Sequence, residues 1–245
     1  MGKRLKVQRR GQGSPTFRAN THKRVQPSRY LPSVEVENPP IKGTVHALVH
    51  EPGRGAPLAE TRFENGASMY TVAPEGLSVG QQVEIGAAAE QAIGNILPVG
   101  QITPGSLVSN LELLRGDGGK LVKSSGTYAT VVAHTAEGTL VKLPSGKSIY
   151  LKNGCLATLG TVSAGGRTDK PFAKAGNKTK WLNAKGRVYP ITSGTSMNAA
   201  FHPHGGGAHG SASLRPTTVS RGAPPGQKVG IIAARQTGRR KRRQA

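Results

Sequence analysis

The sequence predicts an all-β protein, with small barrels set between long, irregular, strongly basic extensions. Three observations lead there. Segments of about five residues rich in Val, Ile, Thr and Tyr recur between turn residues, as short antiparallel strands do. Glycine (34) and proline (17) together make a fifth of the 245 residues, a composition of turns and loops. Charge is the third. The chain carries 34 Lys+Arg against 12 Asp+Glu, a net of +22. Residues 1–34 hold nine of the cations and no acid, and residues 170–245 hold fifteen and no acid. The segment between them holds ten cations and all twelve acids. A near-neutral centre between two cationic arms describes a folded module whose extensions meet a polyanion.

Composition excludes several alternatives. Hydrophobic residues are 35% and aromatics 4%, too few for one large core but enough for two small ones. A single cysteine, Cys155, rules out an internal disulfide and a cysteine-based zinc site. No apolar run reaches about 18 residues, so no membrane span is expected. The basic N-terminus lacks the apolar core of a secretion signal. The expectation is a soluble, cytoplasmic protein.

Taken in order, residues 1–36 form a first basic extension. Met1–Tyr30, with Arg9 and Arg10 at its heart, is expected to lack structure of its own without a phosphate partner. Residues 37–90 form a first β unit, a small antiparallel barrel or sandwich. Its strands are expected over Thr44–His50, Leu58–Phe63, Ser68–Ala73 and the end of Leu77–Gly86, with Glu51–Pro57 as a turn-rich loop. Residues 91–190 form a second unit. Ala92–Pro98 leads to strands at Leu107–Leu114, Thr127–His134, Thr139–Leu143, Ser148–Leu151 and Leu156–Ser163, read as an SH3-like barrel. The basic stretch Lys170–Arg187 holds the only tryptophan, Trp181, and a turn or two of helix is expected there. Residues 191–245 are the second basic extension; within it only Gly230–Arg235 reads as a short helix or strand.

Two motifs invite chemistry. Gly146-Lys147-Ser148 echoes the end of a phosphate-binding loop, but the glycine required five residues earlier is Val141. Leu143–Lys147 reads instead as a hairpin turn. The second motif is Ser196–Gly210, with His202, His204, His209 and the run Gly205–Gly207. Pro203 and the glycines forbid a helix there. Metal binding and acid–base catalysis both want orienting carboxylates, and no Asp, Glu or Cys follows Asp169. Stacking on a base, or hydrogen bonding to ribose and phosphate, needs only proximity to RNA. Three adjacent glycines would let the backbone lie flush against that surface. The chain also lacks zinc-finger ligands, a basic-zipper heptad and an evident helix-turn-helix, which favours irregular RNA over a DNA groove.

Six motifs in order carry a family resemblance. They are Pro52–Ala59, Gly94–Gly100, Gly126–Thr130, Ala164–Pro171, His202–Gly207 and Lys228–Gly238. The chain resembles, along almost its whole length, ribosomal protein two of the large subunit in its archaeal/eukaryotic branch. The resemblance implies an OB-like barrel, then an SH3-like barrel, with extensions threaded into large-subunit ribosomal RNA. It also implies support of subunit association and a glycine-histidine loop sent toward the peptidyl transferase region. The family often has Asn-Pro-Val and an acid before the first histidine, whereas this chain has Asn198-Ala-Ala-Phe201.

The residues expected to meet RNA come from both arms and the loops between. In the first extension they are Arg9, Arg10, Arg18, Lys23 and Arg24. The centre contributes Arg54, Arg167, Lys170 and Lys174. The histidine loop contributes Met197, Asn198, His202, His204, Gly205, Gly206 and Gly207. Arg221, Lys228, Arg235, Arg239, Arg240, Lys241, Arg242 and Arg243 complete the set. The expected function is a structural constituent of the large ribosomal subunit, without enzymatic activity. The alternative is a free basic nucleic-acid chaperone or chromatin-type binder. Expected partners are large-subunit ribosomal RNA, neighbouring ribosomal proteins and the small subunit. No metal or cofactor is expected, Mg2+ entering only with bound RNA.

Overall fold

The protein, in a computed structural model that describes residues 2–32, 39–208 and 217–235, divides into two units. Asn20–Lys174 form one; Met1–Ala19 with Ala175–Ala245 form the other.

The first unit is β throughout. Its strands are β1 (Ile41–Val49), β2 (Leu58–Phe63), β3 (Ser68–Val72), β4 (Gln82–Ile85), β5 (Ile96–Pro98), β6 (Leu107–Ser109), β7 (Ala129–Thr135), β8 (Gly138–Lys142), β9 (Ser148–Leu151) and β10 (Leu156–Leu159). They join one sheet in the order β3-β2-β1-β4-β5-β10-β6-β7-β8-β9. All pairs are antiparallel except β4 with β5, which meet in parallel at Ile85 and Ile96. Extra residues at His46 in β1 and Val132 in β7 bulge the ladders, and such bulges bend and twist a sheet.

Alternation along β5 and β10 creates two cores from one sheet. Ile96 and Leu156 pack with Tyr30, Phe63, Met69 and Ile85. Their neighbours Leu97 and Ala157 point the other way, among Val99, Ile102, Val108, Val131, Val141 and Leu151. A strand buried on both faces reads as a short continuous apolar run, as Ile96-Leu97 and Leu156-Ala157 do. Each fully enclosed Leu or Ile contributes roughly 1.5–3 kcal/mol.

Several expected elements are shorter than their apolar runs. The strand expected over Leu107–Leu114 stops at Ser109 because Asn110 takes φ 49, a left-handed turn that redirects the chain. The strand expected to reach Ser163 stops at Leu159, where Gly160 has φ 106. The first strand, conversely, begins three residues earlier than expected, at Ile41. Tyr30 is also not part of a structureless arm. Its ring is buried, its N–H donates to Gly118 O at 3.1 Å, and its hydroxyl meets Thr158 Oγ1 at 2.6 Å. One aromatic ring with paired polar ends offsets the ordering entropy of the residues around it.

The second unit has little regular structure. It contains α1 (Lys6–Arg10), α2 (Ala175–Ala184) and a two-residue parallel pair, β11 (Thr218–Val219) with β12 (Ile231–Ile232). α1 supplies order where none was expected: Leu5 is buried and its N–H donates to Gln8 Oε1 at 2.7 Å. α2 buries none of its residues and has no acid in its first turn. Among the described residues no helix is long and apolar enough to cross a membrane.

Candidate nucleic-acid interface

In the β unit the site is organised by a buried carboxylate. Glu51, 2% exposed, lies just beyond β1 and opens the loop that returns to β2. Its Oε2 accepts Val25 N–H at 2.9 Å and its Oε1 accepts Gly53 N–H at 3.1 Å. Its own carbonyl accepts Arg54 N–H at 3.1 Å. One side chain thus fixes both the loop and the segment that carries Lys23 and Arg24. The result is a cleft of about 470 Å³ lined by Arg24 and Arg54 over Pro27 and Val25.

Two glycines in the loop admit arginines onto its backbone. A Cβ at Gly53 would stand 2.6 Å from Arg24 Nε, and one at Gly55 would stand 2.6 Å from Arg167 Nε. Arg167 is held by Ser125 Oγ, to which Nε and Nη2 donate at 3.1 and 3.0 Å. Arg24, Arg54 and Arg167, far apart in sequence, therefore converge on one glycine-bearing loop. Guanidinium groups are forked donors suited to phosphate oxygens, and that of Arg167 is already oriented by Ser125.

Lys123 and Arg29 belong to the same region and were not among the expected residues. Lys123 Nζ donates to Ser28 O at 2.7 Å and Gly119 O at 2.6 Å. Burial, and then the charges of Arg54 and Arg29, push its pKa down to about 8. No local pattern marks Lys123, because both of its acceptors are backbone carbonyls, one of them in a remote segment. Lys23, Lys170 and Lys174 are exposed on the same unit.

In the second unit the histidine loop folds on itself. After a 3-10 turn at Gly194–Ser196, Met197 O accepts Gly206 N–H at 3.0 Å and His202 O accepts Gly205 N–H at 2.9 Å. His202 Nδ1 accepts the His204 N–H at 3.1 Å, so Nδ1 carries no proton in this arrangement. The two rings meet edge to face, 5.0 Å between centroids. Burial first, and then the charge of His204, hold the pKa of His202 below its ordinary value. No third His, Cys, Asp or Glu joins them in a metal-holding group among the described residues.

The glycine run has an internal use as well. A Cβ at Gly205 would stand 2.4 Å from Met197 O and 2.5 Å from Asn198 O. Gly205 lies flush against its own chain. Gly206 (φ 79) and Gly207 (φ 88) take the left-handed conformations that turn the loop back, and both are exposed.

The segment before α1 also meets the histidine loop within this unit. Lys3 N–H donates to Ala200 O at 2.8 Å, and Lys3 Nζ sits 4.9 Å from the Phe201 ring centroid. A cleft of about 330 Å³ is lined by Arg4, Gln8, His202 and Pro203. Arg9 and Arg10 project from the last turn of α1, Arg10 lying 6.0 Å from the Phe17 ring, and Arg18 is exposed beyond it. Asn198, Arg221 and Arg235 are exposed, Met197, His204 and Lys228 half-buried. His209 and the cations Arg239, Arg240, Lys241, Arg242 and Arg243 lie outside the described residues.

An all-β scaffold, cations converging on glycine-bearing loops, and a histidine loop set beside a basic helix define an RNA-binding β protein. Comparison with known families gives the particular one. Residues 2–85 match the model of the Ribosomal Proteins L2, RNA binding N-terminal domain, and residues 92–223 match the Ribosomal Proteins L2, C-terminal domain. The chain belongs to the ribosomal protein L2 family. It is 52% identical over 242 residues to the large ribosomal subunit protein uL2 of Hyperthermus butylicus, covering 99% of this chain and 100% of that one. It is 49% identical over 241 residues to the protein of the same name from Methanococcus vannielii, covering 98% and 100%. The protein of that name from Korarchaeum cryptofilum is 46% identical over 245 residues, covering 100% and 99%. These relatives place the chain in the archaeal branch.

Proposed function

We propose that the protein is a structural constituent of the large ribosomal subunit, binding large-subunit ribosomal RNA through the surfaces above. The convergence of Arg24, Arg54 and Arg167 on the Glu51–Pro57 loop carries this reading. Such convergence would let several cations share one phosphate-rich footprint, where each neutralised phosphate releases counterions. The exposed arch at Gly206–Gly207 beside His204 organises RNA near the peptidyl transferase region, and the protein supports association with the small subunit. Its role is non-enzymatic, peptide-bond formation being left to RNA, and it works in the cytoplasm as part of the ribosome. It holds no cofactor of its own; Mg2+ comes with the RNA.

Architecture supports a division of labour. We read the strands β1–β4, which lie in the order β3-β2-β1-β4, as the OB-like barrel of residues 37–90. We read the meander β6-β7-β8-β9, with β10 and β5 beside it, as the SH3-like barrel of residues 91–190. Residues 1–36 and 191–245 act as basic extensions.

The test is sedimentation of an epitope-tagged chain after a high-salt wash. A subunit constituent stays with the large subunit, because burial and shape hold it as well as charge. A free chaperone is stripped to the top of the gradient, and that result would end the reading.

A further inference from the structure

We infer that a groove on the β unit, remote in character from the cationic loops, docks a basic, apolar-anchored polypeptide segment of another ribosomal protein. The inference rests on the ribosomal reading above.

The starting observation is a gap in the charge. Between Arg62 and Arg115 the chain has no Lys or Arg, while it has Glu64, Glu75, Glu84, Glu90 and Glu112. In a chain of net charge +22 this stretch is the exception. Three of its segments fold together with Leu159–Thr161 around a groove of about 450 Å³. The segments are the turn at Glu75, the loop Gln91–Ile93 and the start of β6 at Ser106–Leu107. Among the described residues no Lys or Arg lines it.

The groove has the two features a peptide site needs. Apolar anchoring comes from Ile93 and Leu107, which are 52% and 40% exposed although each adjoins the core. Acidic selection comes from Glu75, which lines the groove and accepts Thr161 Oγ1–H at 3.0 Å, and from Glu90, which precedes the lining residue Gln91 in the chain; both are exposed and neither is in an ion pair among the described residues. Glu84 differs, lying 3.7 Å from Lys42 Nζ. The walls are already fixed. Glu75 N–H donates to Thr161 O at 2.8 Å, Gly94 N–H to Leu159 O at 3.1 Å, and Gly160 N–H to Leu107 O at 2.9 Å. Gln91 is held at both ends, by Gln101 O at 3.0 Å and Thr103 Oγ1 at 2.9 Å. A preformed site avoids the ordering cost that weakens binding.

Charge decides the occupant. The carboxylate of Glu75 in the wall, with that of Glu90 one residue before Gln91, repels phosphate, so RNA is disfavoured on this face. The same carboxylates attract Lys and Arg, and proteins bound to RNA carry these in abundance. An apolar side chain between Ile93 and Leu107, flanked by a cation reaching Glu75 or Glu90, satisfies both features.

The experiment places benzoylphenylalanine at Ile93, or at Leu107 if the first variant assembles poorly, in the full chain within large subunits. Entry into subunits is scored by sedimentation before irradiation, so failure of the ribosomal reading is seen separately. The expected product is a cross-link to a peptide of a different ribosomal protein, with Lys or Arg beside the linked residue. The double variant Glu75→Lys, Glu90→Lys should cut the yield about tenfold while the amount of the chain in subunits stays the same. A cross-link to RNA, to a second copy of this chain or to an acidic segment would overturn the inference. So would assembled subunits that give no protein cross-link, or a yield indifferent to the charge reversal.

Discussion

The carboxylate of Glu51 accepts the backbone N–H of Val25 at 2.9 Å, across a sequence separation of 26. An acid buried in a protein of net charge +22 would be costly without such partners. Here it organises cations by holding backbone, since its bonds run to Val25 and Gly53 rather than to a guanidinium.

Glu51→Ala should therefore lower the stability of the β unit by about 1–3 kcal/mol, measured by urea unfolding. RNA affinity should fall too, with the slope of log affinity against log salt unchanged, because no cation has been removed. A flattened slope would mean that the carboxylate acts through charge at the RNA surface.

Arg54→Ala gives the complementary pattern. For every phosphate that Arg54 neutralises, its removal should flatten the salt slope by about 0.7–0.9. Fold stability should stay within about 0.5 kcal/mol, as for most surface changes. A titration of ribosomal RNA fragments at several salt concentrations checks this; an unchanged slope would remove Arg54 from the interface.

At the histidine loop, bulk should hurt more than loss of a ring nitrogen. Gly205→Ala puts a methyl into the Met197 and Asn198 carbonyls, which cannot retreat without breaking the Gly206 N–H bond. Gly206→Val meets Ala199 Cβ at 3.1 Å and is strained at φ 79. His204→Phe keeps a flat ring beside His202. Large-subunit assembly on gradients should rank His204→Phe nearest to wild type and Gly205→Ala furthest from it. The reverse order would give the imidazole a role that shape does not explain.

His202 makes the loop acid-sensitive. Its pKa is lowered by burial and by His204, from an ordinary 6.5, so the unfolded loop binds a proton more readily than the folded one. The stability it contributes is complete above 6.5 and is lost as pH falls from there through the folded pKa. Protonation of Nδ1 also removes the acceptor of the His204 N–H. Ring-proton NMR should show His202 titrating below 6.5 with the His204 amide shifting in step. Titration at or above the ordinary value would refute the arrangement.

Much of this fold is legible in the sequence. Leu58–Phe63 and Ser148–Leu151 begin and end where Val, Ile, Leu and Thr patterning and flanking turns place them. Chain ends are less legible. Tyr30 looks like arm by composition, yet one buried ring makes it core. The same limit applies to the site. Arg24, Arg54 and Arg167 are nominated by charge, but their meeting depends on Gly53 and Gly55 and on packing between segments distant in sequence. Lys123 is invisible because its partners are backbone carbonyls. The glycine run is legible as a place of close approach; which surface it approaches is decided by the fold of the loop.

The two faces of β5 and β10 carry one further consequence. Ile96 and Leu156 serve the core on one side while Leu97 and Ala157 serve the core on the other. The family models divide between residues 85 and 92, a few positions before β5. A chain cut there would leave Tyr30, Phe63, Met69 and Ile85 without Ile96 and Leu156, which pack against them. The inherited modules should thus not melt as separate units. The segment 20–174 should lose structure in a single calorimetric transition, with calorimetric and van't Hoff enthalpies equal.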